Sequence, residues 1–169
     1  MKIKKIIAIA AIFGVFVGCQ KAQKGEAGTP GIDGKNGNAN VTSITLNATS
    51  WSWDATNYWR SATWSGISQL TANVVNNGAV MLYQNDGSGN FIALPLTGNI
   101  TATVQEHDFF KYGVNTIQVV IENSDLSDPN PPTSLSYKLV CIPQAIIKSN
   151  PNIDIRNYNE VKQVLNLQD

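Results

Sequence analysis

From residue 41 onward, apolar and polar side chains alternate in short runs, and turn-forming residues stop each run before a helix can establish itself. A period of two places successive side chains on opposite faces of a strand, so these runs read as half-buried strands. Ile44, Leu46 and Ala48 alternate with Ser43, Thr45 and Asn47. Tyr58 to Trp64 is aromatic and rich in Ser and Thr, and Leu70, Ala72 and Val74 alternate next. Asn76-Asn77-Gly78 predicts a turn, since Asn-Gly readily takes positive φ. Ala79 to Gln84 and Phe91 to Leu94 flank the loop 85–90 as a hairpin. Ile100 to Gln105, Val114 to Glu122 and Leu135 to Ile142 complete the set, with a loop over 123–133 that holds Pro129, Pro131 and Pro132.

About eight strands with no helices between them predict an all-β fold over residues 41–169, an antiparallel β-sandwich. Helical spacing enters only at the end, where Tyr158, Val161, Val164 and Leu165 share one helical face. Asn157 is placed to cap that helix, with Glu160 three residues on in capping-box position. The short C-terminal helix is expected to close one end of the sandwich.

Composition narrows the function classes. The chain has 169 residues, 43% apolar and 14% charged, with twelve basic and twelve acidic side chains. That is too apolar for a long disordered chain, and zero net charge argues against nucleic acid as a partner. Two cysteines are too few for a disulfide scaffold, and one histidine excludes a multi-histidine metal site.

The N-terminus reads as an address. Lys2, Lys4 and Lys5 precede an apolar run of twelve residues from Ile6 to Val17. A charged segment followed by a run of that length is a signal-peptide pattern over residues 1–18, too short for a comfortable membrane span of about 20 residues. Gly18-Cys19 then matches the small-residue–cysteine cleavage site of bacterial lipoproteins. That resemblance implies diacylglycerol linked to the Cys19 thiol and an N-acyl chain on its new amino terminus, with no other cofactor. Each buried CH₂ contributes about 0.8 kcal/mol, so two or three chains hold a protein firmly at a membrane. Acylation of Cys19 would leave Cys141 as the free thiol.

Residues 19–40 form a linker. Glycine recurs at 25, 28, 31, 34 and 37, giving five Gly-X-Y triplets in register. Collagen requires glycine at every third position because only hydrogen fits at its axis. One proline in fifteen residues is far below collagen-like usage, which favours an extended tether over a homotrimeric stalk. A lipobox cysteine, a few such triplets and Gly37-Asn-Ala-Asn-Val41 opening a strand-rich domain resemble small Bacteroidetes lipoproteins with a collagen-like segment. The chain is expected not to be an enzyme, and the resemblance, which is uninformative about activity, implies an outer-membrane lipoprotein. It brings no catalytic motif and leaves periplasmic and cell-surface placement open.

Candidate chemistry is sparse. His107, between Glu106 and Asp108, has no second histidine and reads as an exposed loop residue near Gly113. Cys141 lies within the apolar run Leu139 to Ile142, where cysteine behaves as a small hydrophobe; with His107 it would make a minimal thiol-nucleophile pair. Asp86, Ser88 and Asn90 have alternate oxygen spacing but lack the later glycine and glutamate of a calcium loop, and Asp125 and Asp128 are a similarly weak pair. Asn40, Asn47 and Asn99 begin Asn-x-Thr sequons that matter only in a eukaryotic secretory route. The remaining recognition candidate is aromatic. Trp51, Trp53, Trp59 and Trp64, with Tyr58, crowd one short stretch. Such rings pack in sandwich cores, or, when exposed two residues apart, stack on sugar faces. The expectation is a lipid-anchored structural or binding domain of the bacterial envelope, its partner an envelope protein or a glycan.

Overall fold

The computed structural model describes residues 40–167, so the signal peptide, Cys19 and the Gly-X-Y segment lie outside the described residues. Two antiparallel sheets make an all-β sandwich. The first has the order β1 (Thr42–Ala48), β9 (Leu135–Ile142), β4 (Ala79–Asn85), β5 (Phe91–Ala93). The second has the order β2 (Ser52–Asp54), β3 (Trp59–Ser65), β8 (Thr116–Asn123), β7 (Gln105–Gly113), β6 (Leu96–Asn99). Alternation builds the core between them: Leu46, Val80, Leu82, Tyr137, Leu139 and Cys141 point inward from the first sheet and meet Ala62, Ile117 and Val119 from the second. The chain passes from the first sheet to the second through the cis Leu94–Pro95 bond.

Several elements depart from the alternation pattern. The run Leu70 to Val74 is not a strand. Leu70 packs in the core, and α1 (Ala72–Asn77) follows, capped by Thr71, whose Oγ1 accepts from the Val74 amide at 3.2 Å. Gly78 ends that helix with φ −93° instead of forming a hairpin turn. A Cβ there would lie 2.5 Å from the Ile142 carbonyl oxygen, so the glycine serves close backbone approach, not positive φ. Residues 100–104 form a turn closed by the Ile100 amide on Val104 O at 2.9 Å. The paired strands are β6 before that turn and β7 after it. The β7–β8 hairpin turns at Val114 and Asn115, the latter at φ 60°.

The C-terminal segment also sits elsewhere than expected. It covers the outer face of the first sheet instead of one end of the sandwich. Tyr83, Val140 and Ile142 on that face pack with Ile146 of α2 (Gln144–Ser149) and with Tyr158, Val161 and Leu165 of the α3 region (α3, Tyr158–Val164). Tyr158 sits edge-on to Tyr83 with ring centroids 5.0 Å apart, and the Tyr83 hydroxyl donates to the Ile155 carbonyl. Asn157 caps α3 by accepting from the Asn159 and Glu160 amides. Glu160 reaches back to the Asp154 amide at 3.0 Å rather than to its own cap residue. Val164 leaves the predicted apolar face and is 45% exposed, against 4% for Leu165.

This second core makes a clear prediction for urea unfolding of the full chain. Leu165→Ala lowers stability by about 2–4 kcal/mol, and Val164→Ala changes it by less than about 0.5 kcal/mol.

Candidate functional site

The second sheet carries no further layer on its outward face among the described residues, and strand register shows what that face displays. Trp59, Ser61 and Thr63 of β3 lie beside Glu122, Val120 and Gln118 of β8, which lie beside His107, Phe109 and Lys111 of β7. The Lys111 ammonium stands 3.7 Å from the centroid of the Trp59 ring, and Phe109 meets Trp59 edge-on at 6.4 Å. A cation over an indole face contributes about 0.5–1 kcal/mol at an exposed site. Gln118 donates to Thr63 Oγ1 at 3.2 Å, and Thr97 Oγ1 lies 3.1 Å from His107 Nδ1. A shallow cleft of about 250 Å³ adjoins this face, lined by Thr63, Lys111, Tyr112, Thr116 and Gln118. A second hollow of about 520 Å³, bordered by Asn40, Thr42, Gln69, Thr71 and Pro143, has no charged lining.

The four tryptophans do not share a surface. Trp64 packs against the inter-sheet core, edge-on to Tyr137 at 6.1 Å. Trp51 also packs there and donates its indole N–H to the Pro132 carbonyl at 3.2 Å. Trp53 lies on edge strand β2, 36% exposed, with Tyr58 across from it at 6.4 Å. Trp59 alone stands on the outward face. Tyr58 belongs to the turn before β3, at φ 57°, so it does not share a strand face with Trp64.

The remaining candidates are held in other roles. Cys141 is buried on the first sheet, and burial pushes its thiol up to about 11, which keeps it protonated and unreactive. His107 is not in a loop: it is a half-buried residue of β7 opposite Glu122, on the outward face of the second sheet, so that sheet stands between it and Cys141. Asp86 accepts from the Ser88 and Asn90 amides and from the Asn90 side chain, which closes the hairpin loop on itself. Asp125 binds Ser127, and both Asp128 oxygens face Arg60 at 2.7 Å. These bonds hold all three carboxyls below the usual carboxylate range. Among the described residues, no group of three or more His, Cys, Asp and Glu side chains comes together.

One ionisable group is out of place by these standards. Asp108 points inward from β7 and is 2% exposed. Burial first, and Glu106 second, push its carboxyl up to about 7. No family model matches the chain, and no curated protein and no solved structure matches it.

Because the folded state keeps a proton on Asp108 that the unfolded carboxyl releases near pH 4, stability falls as pH rises from about 4 to about 7 and then levels. In divalent-free buffer, Asp108→Asn is expected to flatten that slope. At pH 8 it raises stability by roughly 2–4 kcal/mol, read by urea unfolding across the pH series.

Proposed function

We propose that this chain is a non-enzymatic lipoprotein of a bacterial outer membrane, of the small Bacteroidetes type with a collagen-like linker. It is anchored through acyl chains on Cys19 and presents the sandwich as a structural or binding domain. The observation that carries this reading is the order of signals in the sequence: a basic segment, a twelve-residue apolar run, Gly18-Cys19, then five Gly-X-Y triplets. The domain folds from Thr42 onward, right after that linker sequence. Its interior supports a binding role over an enzymatic one, since the thiol is buried and the single histidine faces away from it on the other sheet. Membrane attachment needs no spanning helix, because acyl chains supply it. Metabolic labelling with an alkyne fatty acid tests the anchor. The wild-type chain is expected to take the label and fractionate with membranes, and Cys19→Ala to lose both. Unlabelled wild type sinks the reading.

A second reading, glycan capture, is favoured by one observation. Trp59, Lys111, Gln118 and Thr63 put an aromatic ring and hydrogen-bonding groups together on a sheet face that no other described element covers. Sugars are recognised by that combination of ring stacking and polar contacts. In native gels cast with neutral or acidic polysaccharide, the wild-type chain is expected to be retarded and Trp59→Ala to run freely. Absence of retardation for the wild type in every gel rules this reading out.

A further inference from the structure

Five oxygen-bearing side chains lie on the inward faces of the two sheets, three of them, Glu106, Asp108 and Asn123, near the point where β8 leaves the second sheet. Glu106 of β7 pairs in register with Asn123 of β8, and Asp108 follows two residues along on the same inward face. From the first sheet, Gln84 of β4 and Tyr137 of β9 are register partners and also point inward. Burial first, and then the charges of Asp108 and Glu106, push the Tyr137 hydroxyl up, so the three groups lie within electrostatic reach of one another. Gln84 Oε1, Asp108 Oδ1, Asn123 Oδ1 and the Tyr137 hydroxyl are each buried without a hydrogen-bond partner.

The orientation of Asn123 is fixed by its neighbours. Ser127 Oγ donates its single hydrogen to Asp125 Oδ1 at 2.6 Å, so it accepts from Asn123 Nδ2 at 2.9 Å. The amide oxygen of Asn123 is therefore turned away from the loop. The loop's own acids are consumed by such bonds, whereas the inward oxygens are left without partners. Buried acceptors without donors are costly, and a buried carboxylate more so.

We infer that this inter-sheet cluster is a calcium site, with Glu106 and Asp108 supplying the charge and Gln84, Asn123 and the Tyr137 hydroxyl the neutral oxygens. Two carboxylates balance a divalent cation, and all five ligands are hard oxygens. Oxygens drawn from four strands, with amide carbonyls among them, suit the flexible, high coordination of Ca²⁺. Mg²⁺ demands near-ideal octahedral geometry and keeps most of its water. Glu106 is only half-buried, which leaves the ion a route in from solvent. The site does not depend on membrane anchoring or on glycan binding.

The test uses the full chain in detergent, stripped with EDTA and titrated with CaCl₂. Calorimetry is expected to show saturable binding in the range of about 10⁻⁴–10⁻³ M, as for weak extracellular calcium modules. The thermal midpoint is expected to rise with it, and MgCl₂ to act more weakly. Asp108→Asn abolishes both responses while still unfolding cooperatively, and Glu106→Gln serves as a second variant that keeps side-chain shape. Three outcomes overturn the inference: no response of the wild type, a wild-type response in both variants, or equal responses to magnesium and calcium.

Discussion

Strand β9 carries apolar side chains on both faces, and the rest of the fold answers the need to cover both. Tyr137, Leu139 and Cys141 face the second sheet, while Val140 and Ile142 face the opposite way. An antiparallel sheet ordinarily leaves one face to water, but a strand with this composition cannot. The second sheet covers one side and the C-terminal segment the other. A seven-residue helix such as α3 is not stable alone in water, so it exists because Tyr158, Val161 and Leu165 have the outer face of β4 and β9 to pack on. Among the described residues, the sandwich thereby gains a third layer on one side only. No other described element covers the outward face of the second sheet, which displays the aromatic and polar side chains of β3, β7 and β8.

Much of this was legible in the sequence, and the failures have physical causes. Clean alternation marked β1, while β4 and β8 were visible as apolar runs bounded by turn residues. Leu135 to Ile142 was visible as a strand, but its unbroken run Leu139-Val140-Cys141-Ile142 also announces burial on both faces, the sign of a layer beyond the second sheet. The stretch Glu106 to Tyr112 hid β7, because a buried acid and two adjacent phenylalanines break the alternation. Leu70 to Val74 imitates a strand over five residues. Only Thr71 as a cap and the tight approach of Gly78 to Ile142 make the following turn helical, and both depend on tertiary neighbours.

The site residues were legible in proportion to how local they are. Four tryptophans close together in sequence read either as core rings or as an exposed sugar-stacking set, and the β2–β3 turn and the inward pleat divide them among the core, an edge and a face. Trp59 stands out only once Phe109 and Lys111 arrive from a strand some fifty residues away. The inward oxygens of Gln84, Asp108, Asn123 and Tyr137 come from four strands, so no spacing in the sequence could announce them. The one local trace was Glu106-His107-Asp108, where attention falls on the histidine, while the strand's pleat turns the two acids inward and the histidine outward.

The register of β1 against β9 carries a mechanical consequence. Thr42 pairs with Cys141 and Ala48 with Leu135, so the chain enters the sheet at the end of β1 that lies beside the exit of β9. Tension applied through the residues before Thr42, and resisted through the segment after Ile142, loads the Thr42–Cys141 pair first. Its bonds then give way one after another along the strand, like a zip, and not together as in shear. A domain pulled in this sense would lose β1 at low force and uncover Leu46 and Ala48 before the second sheet felt any load.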